Sequence, residues 1–301
     1  MRCSGAISAL PDALMQTIVY NGYTADELQQ QYSARSAVPE HPEIFERWRA
    51  DSALWRDHEA PAPWLDLVCG ERNRQRIDLF HPDGISPAPL HVFFHGGYWQ
   101  SMDRSDFSFV ARGLNRRGIA VAVVGYSLCP DVSLATIIDE TRSAVAWLHA
   151  RRPELRLDDS ALQVSGHSAG GHLTAMLAAT PSADIDGAAI DWIAPVSGLF
   201  ELEPLVHTAL NEALQLDAHT ARALSPLAVE PVGPIAVDAW VGARESAEFH
   251  RQSAAFVERW QAAGATTTLN RSADCHHFSV LDALYAPDGK LVERAAVRAA
   301  R

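Results

Sequence analysis

The segment Gly166-His167-Ser168-Ala169-Gly170-Gly171 carries a Gly-x-Ser-x-Gly pattern. The chemistry of such a segment is nucleophilic. A serine hydroxyl stands on a strand-to-helix turn so tight that only small residues fit beside it. The surroundings meet that requirement: the apolar run 161–164 precedes the pattern and a helix-like segment, 173–179, follows it. A helix opening here also aims free N–H groups and the positive end of its dipole at the hydroxyl. A glycine-rich turn with an ordinary surface serine is the plain alternative, and the strand–turn–helix context weighs against it.

A serine nucleophile needs donors for the oxyanion that forms on attack, each worth ~3 kcal/mol of barrier. His95-Gly96-Gly97-Tyr98-Trp99 directly follows the apolar run 90–94, where two glycines let backbone amides approach a reacting carbonyl. A plain glycine hairpin would not explain why this loop and the elbow occur together. The serine also needs a base, and the base an orienting carboxylate. Where the nucleophile sits on such an elbow, the order along the chain is Ser, Asp or Glu, His. Glu245 lies just past the run 235–241 and is the preferred acid; Asp238 falls inside that run and Glu248 in the helix after it. His277 is the preferred base, with the adjacent His276 as the alternative. Thirteen histidines raise the question of a metal, but His167 and His172 are five apart, off the i, i+4 spacing of two ligands on one helix face. No metal and no cofactor is expected. Tyr98 and Trp99, with Trp192 and Phe200, are candidates for an apolar substrate pocket, although core packing accounts for Trp192 equally well.

The elements that must position these residues alternate along the chain. Short apolar runs at 75–80, 90–94, 119–124, 162–164, 188–194, 235–241 and 266–269 read as strands, the first half-exposed and the others buried on both faces of a parallel sheet. Leu134, Ile137, Ile138, Val145 and Leu148 mark one helix face, and Phe249, Phe256, Val257 and Trp260 another. Gly118 and Gly264 stand where helices end in a left-handed residue. The pattern predicts a doubly wound α/β fold with helices on both faces, as a single domain over 1–301. Residues 1–65 form a polar, helical N-terminal extension, with a helix starting near 39–48, whose candidate role is to cap the site. Residues 199–230 lack a strand and read as a lid-like insertion over the carboxyl edge of the sheet.

With 25 Lys and Arg against 37 Asp and Glu, the net charge is −12, which argues against nucleic acid as a partner. Apolar stretches such as 91–94 and 118–125 fall short of the ~18 residues of a membrane span. Residues 1–12, with one Arg and an early Pro11-Asp12, do not read as a signal peptide. Four scattered cysteines without Cys-x-x-Cys fit a reducing cytoplasm.

From about Tyr20 to Leu284 the sequence resembles the kynurenine formamidase (arylformamidase) branch of the α/β-hydrolases, near the hormone-sensitive-lipase-type esterases. The likeness rests on His95-Gly96-Gly97-Tyr98-Trp99-Gln100, where lipase-type relatives usually carry a third glycine in place of Tyr98. It extends to Ile77-Asp78-Leu79-Phe80 with Pro82, Gly125-Tyr126-Ser127-Leu128-Cys129-Pro130, the elbow, Gly242-Ala243-Arg244-Glu245, and His277-Phe278. The resemblance implies Ser168 as nucleophile, Glu245 as acid, His277 as base, and the amides of Gly97, Tyr98 and Ala169 as the oxyanion hole. Several relatives carry Asp at the position of Glu245. The implied activity is hydrolysis of a small N-formyl arylamine, N-formyl-L-kynurenine being the favoured small-molecule substrate. A tight acyl side, narrowed by Tyr98 and Trp99, and a roomier aromatic side are then expected. The alternative is a carboxylesterase for short acyl esters using the same residues. A non-catalytic binding protein on this fold is disfavoured, since every triad and oxyanion residue is present. Relatives commonly dimerise, so the resemblance also implies a homodimer.

Overall fold

Continuous β-branched and aromatic runs build the sheet, because a strand covered on both faces has no polar side to alternate with. The computed structural model describes residues 17–300; the signal-peptide reading of residues 1–12, together with Cys3, lies outside them. Eight strands form one sheet: β1 (Trp64–Val68), β2 (Arg76–Phe80), β3 (Leu90–Phe94), β4 (Ala120–Val124), β5 (Leu162–His167), β6 (Ile190–Val196), β7 (Ala236–Gly242) and β8 (Thr266–Ser272). Their spatial order is β8-β7-β6-β5-β3-β4-β2-β1, parallel from β8 to β4, with β2 and β1 antiparallel at one edge. Each predicted strand is present, that at 90–94 with the expected ends and the others with shifted ones. β1 was not foreseen: it follows Pro61 and Pro63 and is an edge strand without clean alternation.

The helices used below are α1 (Ala25–Tyr32), α2 (Ala34–Ala37), α3 (His41–Leu54), α4 (Leu134–Ala150), α5 (Ala169–Ala178), α6 (Ala247–Ala262), α7 (Ser279–Tyr285) and α8 (Lys290–Ala299). Thr24 and Glu27 close a capping box on α1, and Ser133 accepts the Thr136 N–H at the start of α4. Gly118 and Gly264 have φ of 80° and 99°, as their places after helices require. Alternate strand residues feed two cores. Val92, Phe94, Ala122, Val164 and Ile193 pack against α4, α5 and α6 on one face. Phe93, Val121, Val123, Trp192 and Ala194 pack against α3, α7 and α8 on the other. Among the described residues, no helix is long and apolar enough to cross a membrane.

One correction concerns β2. Its alternating Arg76-Ile77-Asp78-Leu79 suggested a half-exposed strand, yet residues 77–80 are all buried. Asp78 is fully buried and ion-pairs with Arg56 and with Arg104, whose Nε lies 3.3 Å away; it also accepts the Asp66 N–H at 2.9 Å. Its polar character thus reflects a buried ion cluster that ties β2 to the N-terminal extension. Asp78→Ala would leave the largely buried Arg56 guanidinium without a carboxylate partner, Arg104 keeping Asp66 and Asp103, and should cost about 3 kcal/mol of stability. Urea unfolding of the variant checks this, and a loss below about 1 kcal/mol would contradict it.

Candidate active site

β5 ends at His167 and α5 begins at Ala169, so Ser168 makes the whole turn at φ 55°, ψ −117°. Two glycines permit it. A Cβ on Gly166 would lie 2.2 Å from the Gly170 carbonyl oxygen, and one on Gly170 would lie 2.0 Å from the Phe94 carbonyl oxygen. Ser168 is held by its N–H to the Val196 carbonyl at 2.8 Å, while its own carbonyl accepts the Gly171 N–H at 2.9 Å. The neighbouring strands fix the foot of the elbow, and the first turn of α5 fixes its top.

Three loops on the carboxyl edge converge on this serine. His277, beyond β8, places Nε2 3.0 Å from Ser168 Oγ, and its Nδ1 lies 2.7 Å from Glu245 Oε2. A carboxylate at Nδ1 keeps the proton there and leaves Nε2 free to accept the hydroxyl proton. Glu245 lies beyond β7, with its side chain only 1% exposed. Its Oε1 accepts the Ser197 hydroxyl and the Gly242 N–H, both at 2.6 Å, so the buried charge is compensated.

The alternatives weighed from sequence lie elsewhere. Asp238 accepts from Trp192 Nε1 at 2.8 Å and pairs with Arg294. Glu248 accepts from the Tyr32 hydroxyl at 2.8 Å and pairs with Arg251. His276 Nδ1 accepts the N–H groups of Phe278 and Ser279, which shapes the loop that presents His277.

Opposite the serine, the loop after β3 turns through left-handed residues Gly97 (φ 114°), Tyr98 (φ 51°) and Trp99 (φ 57°). His95 anchors it, stacked between Tyr126 and Phe107 at ring distances of 4.2 and 5.6 Å. The Tyr98 hydroxyl donates to the Tyr32 carbonyl at 2.6 Å, joining this loop to α1. Among the described residues, the N–H groups of Gly97 and Tyr98 meet no protein acceptor, and that of Ala169 is a free first-turn donor of α5. The arrangement suits a developing oxyanion.

The expected substrate pocket is corrected. Trp99 is fully buried with its ring edge against His172 at 4.9 Å, Trp192 belongs to the opposite core, and Phe200 stacks on Phe256. Tyr98 does line the cavity beside Ser168, but its companions are Phe45, Trp48, Met102, Arg35 and Phe278. Four of these five come from the N-terminal extension and the 96–102 loop. The only sequence signal for Phe45 and Trp48 was their place on one helical face, which reads as core. The mouth outside His277 is lined by Gln31, Val38, Glu40, Arg244, Phe249 and His276. The insertion 199–230 is strand-free, as expected, but it does not cover Ser168: it adds Leu210 to a neighbouring cavity at Tyr98 and Gln100. Residues of the N-terminal segment, Arg35, Phe45 and Trp48, line the cavity at Ser168.

The sheet order and the elbow on its carboxyl edge define the α/β-hydrolase class, and the protein is a serine hydrolase. Residues 77–202 match the BD-FAE family. A kynurenine formamidase of Danio rerio is 29% identical over 288 residues, covering 88% of this chain and 93% of that protein. A solved structure from Silicibacter sp., described as a candidate thioesterase, is 34% identical with a TM-score of 0.79, covering 89% of this chain and 98% of that one. An esterase of Pyrobaculum calidifontis shares the fold at a TM-score of 0.70 and 18% identity, covering 92% and 95% of the two chains. The chain belongs to the arylformamidase-like α/β-hydrolases.

Burial pushes four histidines at or beneath the site down from 6.5: His91, His95 and His172 to about 4, and His167, with the charge of His277 adding to the effect, to about 3. Each is neutral when folded but takes up a proton near pH 6.5 when unfolded, so the unfolded state binds more protons between pH 6.5 and about 4. The contribution of these histidines to stability should therefore be constant above pH 7 and fall as pH drops through that window. Near pH 5 the uptake on unfolding should approach four protons. Thermal unfolding followed against pH tests this, and a flat profile from pH 7 to 5 would contradict it.

Proposed function

We propose that the protein hydrolyses a small N-formyl arylamine, with N-formyl-L-kynurenine giving kynurenine and formate as the favoured reaction. The observation that carries this reading is the size of the space beside Ser168. The small cavity at Gly96, Gly97, Tyr98 and Ser168 has a volume of about 30 Å³. The mouth on the other side of His277 holds about 190 Å³. An acyl group with no chain fits the first, while an aromatic leaving group fits the second. The kinship with kynurenine formamidases supports the same choice.

In this reading His277 Nε2 takes the hydroxyl proton as Ser168 Oγ attacks the formyl carbon. The amides of Gly97, Tyr98 and Ala169 hold the oxyanion. His277 then returns the proton to the leaving aniline nitrogen, the C–N bond breaks, and formyl-Ser168 remains. Water, deprotonated by His277, attacks this ester and releases formate. Glu245 holds the imidazole and stabilises its cation throughout.

The test is a steady-state comparison of N-formyl-L-kynurenine with p-nitrophenyl acetate and butyrate, using Ser168→Ala as the blank. The formamide should reach a kcat/KM of at least ~10⁴ M⁻¹s⁻¹. Turnover of the esters alone would contradict the formamide assignment and retain an esterase.

The cavity size makes a second prediction. Met102→Ala and Phe45→Ala should each raise the butyrate-to-acetate ratio of kcat/KM by about tenfold, as expected for space worth one or two methylenes. An unchanged ratio in both would contradict the acyl-side assignment.

A further inference from the structure

His167 has no part in the proton transfers above, yet it is 2% exposed and touches the base. Its Nε2 lies 2.7 Å from the carbonyl oxygen of His277, and a carbonyl can only accept, so Nε2 carries the proton. Nδ1 is then unprotonated, and it is buried without a partner. The two imidazole rings are 4.8 Å apart. The edge of Trp48 at 6.2 Å and the backbone of Gly96 flank His167, which lines the cavity beside Ser168.

His167 ends β5 in register with Val196, one residue from the nucleophile, so its backbone is as rigid as the sheet. His277, by contrast, sits in a loop beyond the edge strand β8. We infer that His167 is a positioning residue, whose Nε2–H holds the main chain of His277 so that its ring spans Ser168 and Glu245. The inference deepens the proposed function and rests on His277 being the base.

The choice of residue matters chemically. A lysine or arginine in this place could also donate to the carbonyl, but it would set a fixed charge beside a ring that must become an imidazolium. Burial keeps His167 neutral, its pKa lowered to about 3. It therefore donates a hydrogen bond without opposing the charge that develops on His277.

The experiment compares His167→Met, which fills the space without a donor, with His167→Gln, whose amide N–H restores one. His277→Ala serves as control and p-nitrophenyl acetate as substrate. His167→Met should lower kcat by about 10²-fold, the scale of a misplaced catalytic group, with KM within about twofold. His167→Gln should recover most of that loss at equal thermal stability. Wild-type kcat in His167→Met, or no recovery in a folded His167→Gln, overturns the inference while a dead His277→Ala leaves the triad standing. An active His277→Ala overturns the triad itself. Should His167→Met not fold, His167→Leu takes its place in the comparison.

Discussion

Ser168 stands in a left-handed conformation that costs of the order of 1–3 kcal/mol for a residue with a side chain. The rest of the site depends on the structure imposing it. β5 must end and α5 must begin one residue apart, with the Phe94 and Gly170 backbones in contact. That contact brings the loop after β3, which holds Gly97 and Tyr98, to the same point as the hydroxyl. Each of the other contributing loops also leaves the carboxyl end of a strand. Strand register, not side-chain reach, therefore sets the distances among Ser168, Glu245 and His277.

Charge is handled sparingly around this turn. Among the described residues, the one ionised group facing His277 at hydrogen-bond distance is Glu245, and its other oxygen is bonded to Ser197 and Gly242. The buried imidazoles nearby, His95, His167 and His172, are all held neutral by their surroundings. They supply shape and hydrogen bonds without competing for the proton that the proposed mechanism moves between Ser168 and His277. This arrangement suits chemistry in which a single positive charge appears transiently on one ring.

The strand-end residues were legible because each is tied to a local pattern: an apolar run, then glycines, then a polar residue with a defined task. Glu245 and His277 could be preferred over Asp238, Glu248 and His276 on their distance from strand ends alone, and the structure brings the preferred pair to Ser168. What stayed hidden depends on contacts distant in sequence. Phe45 and Trp48 look like the buried face of any amphipathic helix until α3 is seen against Met102 and Phe278. Trp99 stands next to a site residue, but its left-handed backbone turns the ring into the core. The strand-free stretch 199–230 was recognisable, whereas its placement beside rather than over Ser168 was not. Asp78 misled for a similar reason, since its partners Arg56 and Arg104 lie on elements far along the chain.

The central claim is that the elbow serine is the nucleophile of an acyl transfer limited to the shortest acyl groups. Rapid quenching of wild-type protein in the first turnover with p-nitrophenyl acetate, followed by peptide mass mapping, tests it most directly. The account predicts one acetyl group per chain, carried on Ser168, with none trapped under the same conditions from the hexanoate ester. Acetylation at another residue, or equal trapping of the hexanoyl group on Ser168, would contradict it.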